Sequence, residues 1–505
     1  MRARRRAALI RSLWTVVCVL TLAHPAEPAH AADDESSSIK SAERDESEDD
    51  DLRQRLTERE DKRRPVVPWS IEVAGKPLTV SGEYELSPGY LRRRVLSPAV
   101  DQPDRFLLEQ GLEAEAFYSL GPPLSLFAQL RVAMEKDLLS DTFEEVSDSF
   151  VERGEMWVYS ENIAGSHLTL DLGRLHFEDE RRWWWDDELD ACRVAYERET
   201  FDIALALARE IGPDRSDRST VDPQHDRVLR LIGEASWDFR SNHSIELFLL
   251  HQNDHSPADP PGQVVPFERQ DESDARLTWF GARLFGAFNL RSGGILGYSL
   301  DTALVRGEER LAEFEELSPQ GSVVDGIIHQ DVSAWGLDAG LTWILPMAWE
   351  PRLYAGYAFG SGDATPEAGT DRSFRQTGLQ ANEAGFGGVQ RFAHYGILLA
   401  PELSNLGILT FGGGLSLLRS SSLDLVYHHY RLDEPAVFLR DARLEATLTG
   451  EHRDFGHEVD LVLALEEWER LEFEFSAAAF RAGRAFGEER GTWSYGGFFA
   501  LRVAF

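Results

Sequence analysis

The sequence contains very little cysteine, with two such residues among 505. Cys18 lies in an apolar N-terminal stretch that resembles a cleavable export signal, so Cys192 alone would remain in the mature chain. A single cysteine cannot form an internal disulfide, which excludes the disulfide-rich scaffolds typical of small exported domains. An exported chain of this composition must be stabilised in another way.

Long hydrophobic runs and basic residues are also scarce. Beyond the N-terminal stretch, no apolar run reaches the roughly 18 residues that a transmembrane helix requires. Lysine and arginine together number 52 against 87 aspartate and glutamate residues, which gives a net charge of −35. This balance argues against binding nucleic acid or an anionic membrane surface through bulk charge. The chain is then periplasmic, secreted or an outer-membrane barrel.

Motifs of enzyme and metal sites are missing as well. The sequence has no Walker loop, G-x-S-x-G elbow, H-E-x-x-H pair or paired-cysteine metal site. The carboxylates of Glu178, Asp179 and Asp186 form a weak candidate for Ca²⁺, and a solvated acidic turn is the simpler interpretation. We therefore predict no cofactor and no enzymatic activity. A barrel enzyme with a carboxylate or histidine site remains a minor alternative.

The N-terminus has the three parts of a secretory signal peptide, predicted over residues 1–31. Arginines precede an apolar core at Leu13–Ala23, and Ala29-His30-Ala31 supplies a small-x-small cleavage site. Residues 32–68 are acidic and Ser-rich, then mixed in charge, and contain few apolar side chains. That composition predicts a disordered segment. The predicted membrane domain covers residues 69–505.

From residue 69 onward the hydrophobic pattern has a period of two, which is typical of β-strands with one apolar face. The even positions of residues 124–134 are all apolar, whereas Gln129 and Arg131 occupy odd positions. The same alternation recurs over residues 229–240 and 471–479. The pattern predicts a protein made of short antiparallel strands.

A soluble β-sandwich also alternates, but three features favour a transmembrane barrel. Many segments have about the 10 residues that a tilted strand needs to cross a bilayer. Aromatic residues lie near segment ends, where an interfacial girdle would place them. The chain ends in a strand-like segment, Trp493 to Phe505, with mostly apolar odd positions. We predict an all-β fold, a transmembrane antiparallel β-barrel of roughly 18 strands in the bacterial outer membrane.

The most unusual stretch, residues 170–193, contains three consecutive tryptophans within a cluster of charged residues: Trp183, Trp184 and Trp185. Three adjacent side chains cannot all face one side of a strand. Indole rings with a polar N–H suit a membrane interface. We therefore interpret these tryptophans as interfacial or sugar-stacking residues.

The order of several short motifs resembles the alginate-export family of outer-membrane porins. The most specific match begins at Gly173-Arg174 and continues through the acidic residues and tryptophans to Leu189-Asp190-Ala191. Glu155-Met156-Trp157 precedes it, and Gly456-His457-Glu458 follows. The resemblance covers about residues 78–505. It implies a monomeric barrel that passes alginate or a similar uronate polymer by passive diffusion through an arginine-lined constriction.

The resemblance and the alternation together give a set of candidate selectivity residues. Motif position implies Arg174, Glu155 and Asp186, with Arg153 offset by one residue. Strand parity places three further arginines on inward faces: Arg131, Arg230 and Arg240. Parity alone puts Arg174 on the apolar row, unless Gly173 marks a bulge.

Two transport functions are compatible with such a barrel. The first is export of an anionic polysaccharide, and the alternative is a general outer-membrane porin for small sugars or sugar acids. The expected partners are outer-membrane lipid, the polysaccharide and the barrel-assembly machinery, for which the terminal Phe505 resembles the assembly signal. A periplasmic polysaccharide-synthesis complex is a further candidate partner.

Overall fold

The computed structural model describes residues 69–96, 104–121, 124–137, 147–256, 259–271, 273–291, 293–318, 321–365 and 369–505. The predicted signal peptide, residues 1–31, and the predicted acidic segment, residues 32–68, lie outside these ranges. Within the described ranges, no helix is long and apolar enough to cross a membrane. The described helices are short 3₁₀ turns at Ile163–Gly165, Phe267–Arg269 and Arg484–Glu489.

Eighteen antiparallel strands form one closed barrel. In chain order they are β1 (Lys76–Arg92), β2 (Arg105–Gly121), β3 (Leu124–Asp137), β4 (Ser147–Ser160), β5 (Leu168–Glu178), β6 (Asp186–Arg198), β7 (Phe201–Ala208), β8 (Val228–Arg240), β9 (His243–Asp254), β10 (Ser273–Asn289), β11 (Ile295–Ser318), β12 (Gly321–Ile344), β13 (Arg352–Gly360), β14 (Leu406–Leu417), β15 (Ser421–Leu432), β16 (Asp454–Trp468), β17 (Leu471–Ala482) and β18 (Trp493–Ala504). The predicted fold class and strand number are confirmed.

The barrel closes between its first and last strands. Tyr84 of β1 opposes Val503 of β18 in an antiparallel register. Just beyond this ladder, Gly82 and Phe505 exchange two backbone hydrogen bonds of 3.0 and 2.8 Å. A Cβ on Gly82 would lie 2.6 Å from the Phe505 ring, so the ring packs where only glycine leaves room. The role of Phe505 as an assembly signal stays a prediction.

The predicted alternation gives the barrel an apolar outer face. In β3, Leu130 and Val132 are exposed on the outside, whereas Arg131 between them points inward and pairs with Glu85 and Glu152. Along β7 the exposed residues are apolar, as a lipid-facing wall requires. Adjacent strand residues face opposite sides, so each strand contributes polar side chains to the interior.

The two ends of the barrel differ in the length of their connections. At one end, the short-turn rim, residues 199–200, 241–242 and 469–470 join adjacent strands. At the other end, the long-loop rim, the connections include residues 209–227, 361–405 and 433–453. In bacterial barrels the short turns face the periplasm and the long loops face the exterior.

Short strands accompany the wall strands; the first pairs with the start of β1, and the others lie in the long-loop connections. The short strands are Trp69–Val73, Val95–Leu96, Val264–Pro266, Thr370–Asp371, Glu383–Ala384, Phe392–Ala393 and Glu445–Ala446. A barrel of this size encloses more space than the side chains of its own wall fill. Here residues 179–185, 361–365 and 369–405 enter that space from the long-loop rim, and most of their large apolar side chains belong to the buried core.

Candidate functional site

The hairpin formed by β5 and β6 leaves the barrel wall and enters the interior. Its bend lies at Gly173, which has a φ of +138° and whose Cβ, if present, would meet the Met156 carbonyl oxygen at 2.1 Å. Only glycine fits such a backbone and such a close approach. Beside the hairpin, the β7–β8 connection is hydrogen-bonded to β4. The backbone N–H of Arg153 donates to the Asp214 carbonyl oxygen, and the backbone N–H of Ser216 donates to the Val151 carbonyl oxygen.

The three tryptophans lie at the tip of this hairpin, inside the barrel. The Asp179 carboxylate accepts backbone N–H bonds from Trp184 at 2.6 Å and Trp185 at 3.0 Å, which folds the tip into a compact turn. The Trp184 ring stacks on inward-facing Phe248 with centroids 4.9 Å apart. All three tryptophans are at most 3% exposed. A position at the lipid interface would leave them on the outer wall, and sugar stacking needs an exposed ring face, so neither interpretation fits this burial.

Beneath the tryptophans the hairpin tip and the wall share a buried group of charges, here called the central charge cluster: Asp179, Arg181, Glu246, Arg283, Asp301 and Asp338. Arg283 of β10 contacts Asp179 at 2.5 Å, Glu246 at 3.3 Å and Asp301 at 2.6 Å. Arg181 contacts Asp301 at 2.7 Å and Asp338 at 3.0 Å. Two arginines therefore face four carboxylates around a common centre.

Residues 361–365 and 369–405, here called the crossing segment, cross the interior and pack on the hairpin tip. Arg375 pairs with Glu309 of β11 and with Asp371. The Gln376 side chain donates to the Trp183 carbonyl oxygen at 3.0 Å, which ties the segment to the hairpin. This segment and the hairpin tip form one packed unit in the interior.

The far end of the segment is fixed to the opposite part of the wall. Glu458 of β16 accepts the N–H groups of Leu398 at 2.6 Å and Leu399 at 3.0 Å. Tyr430 of β15 donates to the Tyr395 carbonyl oxygen at 2.8 Å. Buried acceptors and donors of the wall thus satisfy the backbone of the segment, as burial requires.

A cavity of about 400 Å³ lies on the short-turn side of this unit. Its polar lining includes the basic and aromatic side chains of Arg181, Arg283, Tyr354, His394 and Arg419 and the carboxylates of Glu180 and Glu466. The Tyr354 hydroxyl and the His394 ring lie 3.3 Å apart, and His394 is 3.5 Å from Asp338. The cavity combines aromatic surfaces, hydrogen-bonding groups and guanidinium groups, which are the groups that recognise acidic sugars.

Several candidate residues converge near the base of the inserted hairpin. Arg153 makes a bidentate pair with Asp190, with bonds of 3.0 and 2.9 Å. Arg174 is buried and lies 3.2 Å from Glu188. The bend at Gly173 turns Arg174 away from the exposed row of Leu172, as the bulge interpretation required.

Glu155 and Asp186 belong to the same region. Asp186 contacts the His176 ring at 2.8 Å and Arg182 at 3.3 Å. Glu155 accepts the indole N–H of Trp157 at 2.9 Å. The structure thus brings Arg153, Arg174, Glu155 and Asp186 to one hairpin, whereas Arg131 lies apart with its own two glutamates.

Arg230 and Arg240 occupy opposite ends of β8. Arg230 is buried near the long-loop rim, with its Nη2 3.3 Å from the His225 ring. Arg240 follows a register shift after Asp238 and is exposed beside the 241–242 turn. Its predicted inward position on the alternating face is therefore wrong, because the shift at Asp238 breaks the parity.

The three carboxylates proposed for Ca²⁺ have other partners. Asp179 binds Arg283 and backbone N–H groups, Glu178 binds Arg182 at 2.9 Å, and Asp186 binds His176. Among the described residues, the group of acids close enough to share a cation is instead Asp254, Asp271 and Asp274.

The sequence did not single out Arg181 or Arg283, although both lie in the central charge cluster. Arg181 is adjacent to the tryptophans, but only the inward turn of the hairpin brings it to Asp301 and Asp338. Arg283 follows the alternation of β10, where Phe280 is exposed and Arg283 is fully buried. Strand parity could have found Arg283, whereas no local pattern identifies Arg181.

Burial changes the titration of acids in the connections. Burial raises the pKa of Glu402, in the crossing segment, to about 7 against the opposing effect of Arg440. Burial likewise raises the pKa of Glu210 to about 7, opposed by Arg174 and Arg230. In Arg181 the nearby Asp338 and Asp301 outweigh desolvation and raise the pKa of the guanidinium. Arg181 therefore stays charged, while the two glutamates titrate near neutrality.

A protein-family model described as alginate export matches residues 100–495 of the chain. The chain is 27% identical over 326 residues to the alginate production protein AlgE of Pseudomonas aeruginosa, covering 63% of this chain and 64% of that protein. It is 26% identical over 293 residues to the alginate production protein AlgE of Azotobacter vinelandii, covering 55% of this chain and 58% of that protein. The chain thus spans less than two thirds of the length of these relatives.

Solved structures of other barrels share the fold. Pseudomonas aeruginosa OpdL superposes with a TM-score of 0.52 at 11% identity, over 85% of this chain and 98% of that one. Acinetobacter baumannii OccAB4 gives a TM-score of 0.52 at 9% identity, over 84% and 98% of the two chains. At such low identity these likenesses describe the architecture alone.

Proposed function

Because the chain belongs to the alginate-export family and is an outer-membrane β-barrel, we propose that it passes alginate, or a similar uronate polymer, across the outer membrane by passive diffusion. The path runs through the barrel interior and through a constriction formed by the inserted hairpin and the crossing segment. Arg181 and Arg283 of the central charge cluster are the proposed selectivity residues, with Arg174 and Arg153 nearer the long-loop rim.

The observation that carries this proposal is the position of Arg181. Its guanidinium group lies on the inserted hairpin, reaches two wall carboxylates and also lines the interior cavity. A polyanion that enters from the short-turn rim reaches the cavity before it meets the packed unit. Arg181 is therefore the cation at which the carboxylate of an entering uronate would compete with wall carboxylates for a guanidinium group.

Four carboxylates surround the two arginines, and this surplus favours passage of a polyanion over its tight binding. A substrate carboxylate that replaces Asp338 on Arg181 exchanges one like partner for another, so the guanidinium group is never left without a counter-charge. Conduction requires binding that permits entry and also release. Exchange between two carboxylates permits both steps without an energy source, because the displaced Asp338 keeps the hydrogen bond from the Tyr395 hydroxyl at 2.7 Å.

Single-channel recording in a planar bilayer tests the proposal, with oligouronates added to the short-turn side. We expect concentration-dependent block in the wild type and a block at least about tenfold weaker in Arg181→Gln, since one charge-assisted contact is lost. Arg181→Lys keeps the charge and should retain most of the block. Arg470→Gln, at an exposed arginine of the short-turn rim, is the matched control. Indifference of the wild-type pore to oligouronates would overturn the proposal.

The excess of acidic groups favours one alternative, a general porin for small sugars or sugar acids. The central charge cluster has four carboxylates for two arginines, and such an interior attracts cations. A general porin would be cation-selective and would pass neutral oligosaccharides as readily as oligouronates. Reversal potentials in a salt gradient, measured in the same recordings, separate the two functions.

A further inference from the structure

A row of basic side chains crosses the outer wall of β15, β16 and β17 near the long-loop rim. His429 opposes His457, and His457 opposes Arg481, in consecutive antiparallel ladders. Trp493 of β18 opposes Arg481 and extends the row. Arg431, two residues beyond His429 on β15, lies on the same face and is exposed. We call His429, Arg431, His457 and Arg481 the outer basic row.

These side chains point away from the barrel interior. Their strand neighbours Tyr430, Glu458 and Phe480 are completely buried on the inner side. On the outer face the row continues, toward the short-turn rim, into the exposed apolar residues Leu425 and Phe475. The outer basic row therefore lies where the lipid-facing wall reaches the long-loop rim.

Aromatic side chains place the row at the level of the lipid headgroups. Tyr427, Trp493 and Tyr495 are exposed beside it, and the rings of Trp493 and Tyr495 stack with centroids 6.2 Å apart. Exposed tyrosine and tryptophan on the outer wall mark the bilayer interface. The long-loop rim faces the exterior, so this is the interface of the outer leaflet.

The cations of the row are available for a ligand. Neither Arg431 nor Arg481 has a salt-bridge partner within the part of the chain that the structure describes. The Arg481 guanidinium lies 5.8 Å from the Trp493 ring centroid, which orients it along the wall. The His457 Nδ1 lies 3.1 Å from the His429 Nδ1 and 2.6 Å from the Tyr427 hydroxyl, so the Nε2 atoms are the ring nitrogens left for a ligand. Asp454 opposes Arg431 in the β15–β16 ladder, but its carboxylate accepts the Arg484 backbone N–H at 3.3 Å and lies 3.9 Å from the Arg484 guanidinium group.

We propose that the outer basic row binds the phosphate group of an anionic lipid of the outer leaflet. The two guanidinium groups would hold phosphate oxygens by charge-assisted bonds, and the histidines would donate further bonds from the same level. The apolar wall below contacts the acyl chains. An acidic protein with a net charge of −35 would otherwise repel anionic lipid, so a local basic row supplies the charge complementarity that the rest of the chain lacks.

Native mass spectrometry of the full-length folded barrel tests the assignment. The probe is a bisphosphorylated glycolipid, added in zwitterionic detergent, with the same glycolipid after removal of its phosphates for comparison. We expect the wild type to retain the phosphorylated lipid, and Arg431→Gln/Arg481→Gln to bind it at least about tenfold more weakly. Arg470→Gln, an exposed arginine at the short-turn rim, should match the wild type.

The other possible results would overturn the proposed lipid site or its assignment to a lipid. Equal affinity of the double variant and the wild type overturns the site, as does equal retention of the dephosphorylated lipid. Complete displacement of the lipid by millimolar inorganic phosphate would assign the row to a soluble anion and overturn the lipid assignment. Should the double variant not fold, the pair Arg481→Gln and Arg481→Lys decides the matter, because only the charge-retaining variant should keep the lipid.

Discussion

Asp179 and Arg283 form a buried salt bridge of 2.5 Å that joins the tip of the inserted hairpin to the wall strand β10. Asp179 also caps the turn that holds the tryptophans, so one carboxylate serves both the local conformation and the attachment of the hairpin. Arg283 has two further acidic partners, Glu246 and Asp301. Arg283 is therefore the common cationic partner of three buried carboxylates, one of which, Asp301, also contacts Arg181.

Replacement of Arg283 should strongly destabilise the barrel. Arg283→Gln leaves three buried carboxylates without their common partner, which we expect to cost about 3–5 kcal/mol in the free energy of unfolding. Denaturant unfolding of the refolded protein in lipid measures the loss. Arg227→Gln is the control, because Arg227 pairs with Asp226 on an exposed loop and its loss should cost under about 1 kcal/mol. A similar cost for both variants would contradict the assigned role of Arg283.

Gly173 should be required for the inward turn of the hairpin. Gly173→Ala places a Cβ 2.1 Å from the Met156 carbonyl oxygen at a φ of +138°, so we expect a loss of roughly 1–3 kcal/mol and a less firmly inserted hairpin. Higher single-channel conductance should accompany the loss of stability. Gly212→Ala is the matched control, since nothing lies within 4 Å of its Cβ position. Wild-type conductance and stability in Gly173→Ala would show that the bend tolerates a side chain.

The period-two pattern predicted the barrel because successive side chains of a wall strand face lipid and interior in turn. Each wall residue must therefore match the environment on its own side of the strand. The inward position of Arg131 followed from that parity. Parity failed at Arg240, where a register shift intervenes. It was ambiguous at Arg174, where the outcome depended on Gly173. Local rules therefore hold along regular strands and fail at irregularities of the backbone.

The placement of the tryptophans could not be predicted from their own neighbourhood. Trp183 donates to the Tyr395 hydroxyl at 2.7 Å, and the Thr377 hydroxyl bonds to the Trp184 carbonyl oxygen. Both partners lie in the crossing segment, which is about two hundred positions away in the chain, and no periodicity links the two segments. The amphipathic character of tryptophan suits a lipid interface equally well, so burial was decided by tertiary packing.

Glu402 should make the docking of the crossing segment depend on pH. Its carboxylate accepts the Gln376 N–H at 2.5 Å, and burial raises its pKa to about 7 from an ordinary value near 4.5. The folded state then binds more protons than the unfolded state between these two values, so stability falls as the pH rises through that window. We expect roughly 3 kcal/mol less stability at pH 8 than at pH 4.5 from this group.

Unfolding measured from pH 4.5 to 8 in the wild type and in Glu402→Gln checks this dependence. The amide is neutral and can still accept the Gln376 N–H, so the variant should lack the part of the pH dependence that Glu402 supplies. Glu210 has a pKa raised to about 7 as well and should contribute equally in both proteins. Superimposable profiles for wild type and variant would show that Glu402 does not titrate in this window.

Gly336 and Phe374 provide a direct test of how the crossing segment is held. A Cβ on Gly336 of β12 would lie 2.6 Å from the Phe374 ring, and the nearest atoms all belong to that ring. Phe374 also stacks with Trp183 at a centroid distance of 6.1 Å. Gly336→Ala should therefore displace the ring, loosen the segment and cost about 1–3 kcal/mol.

The same clash cannot arise once the ring is removed. In the background of Phe374→Ala, which itself should cost about 3–5 kcal/mol, the further change Gly336→Ala should be nearly neutral, so the double-mutant cycle should show a coupling of at least about 1 kcal/mol. Single-channel conductance should rise in each single variant, because both release the segment from the wall. Strict additivity of the two stability changes would mean that Gly336 acts through the strand and not through Phe374.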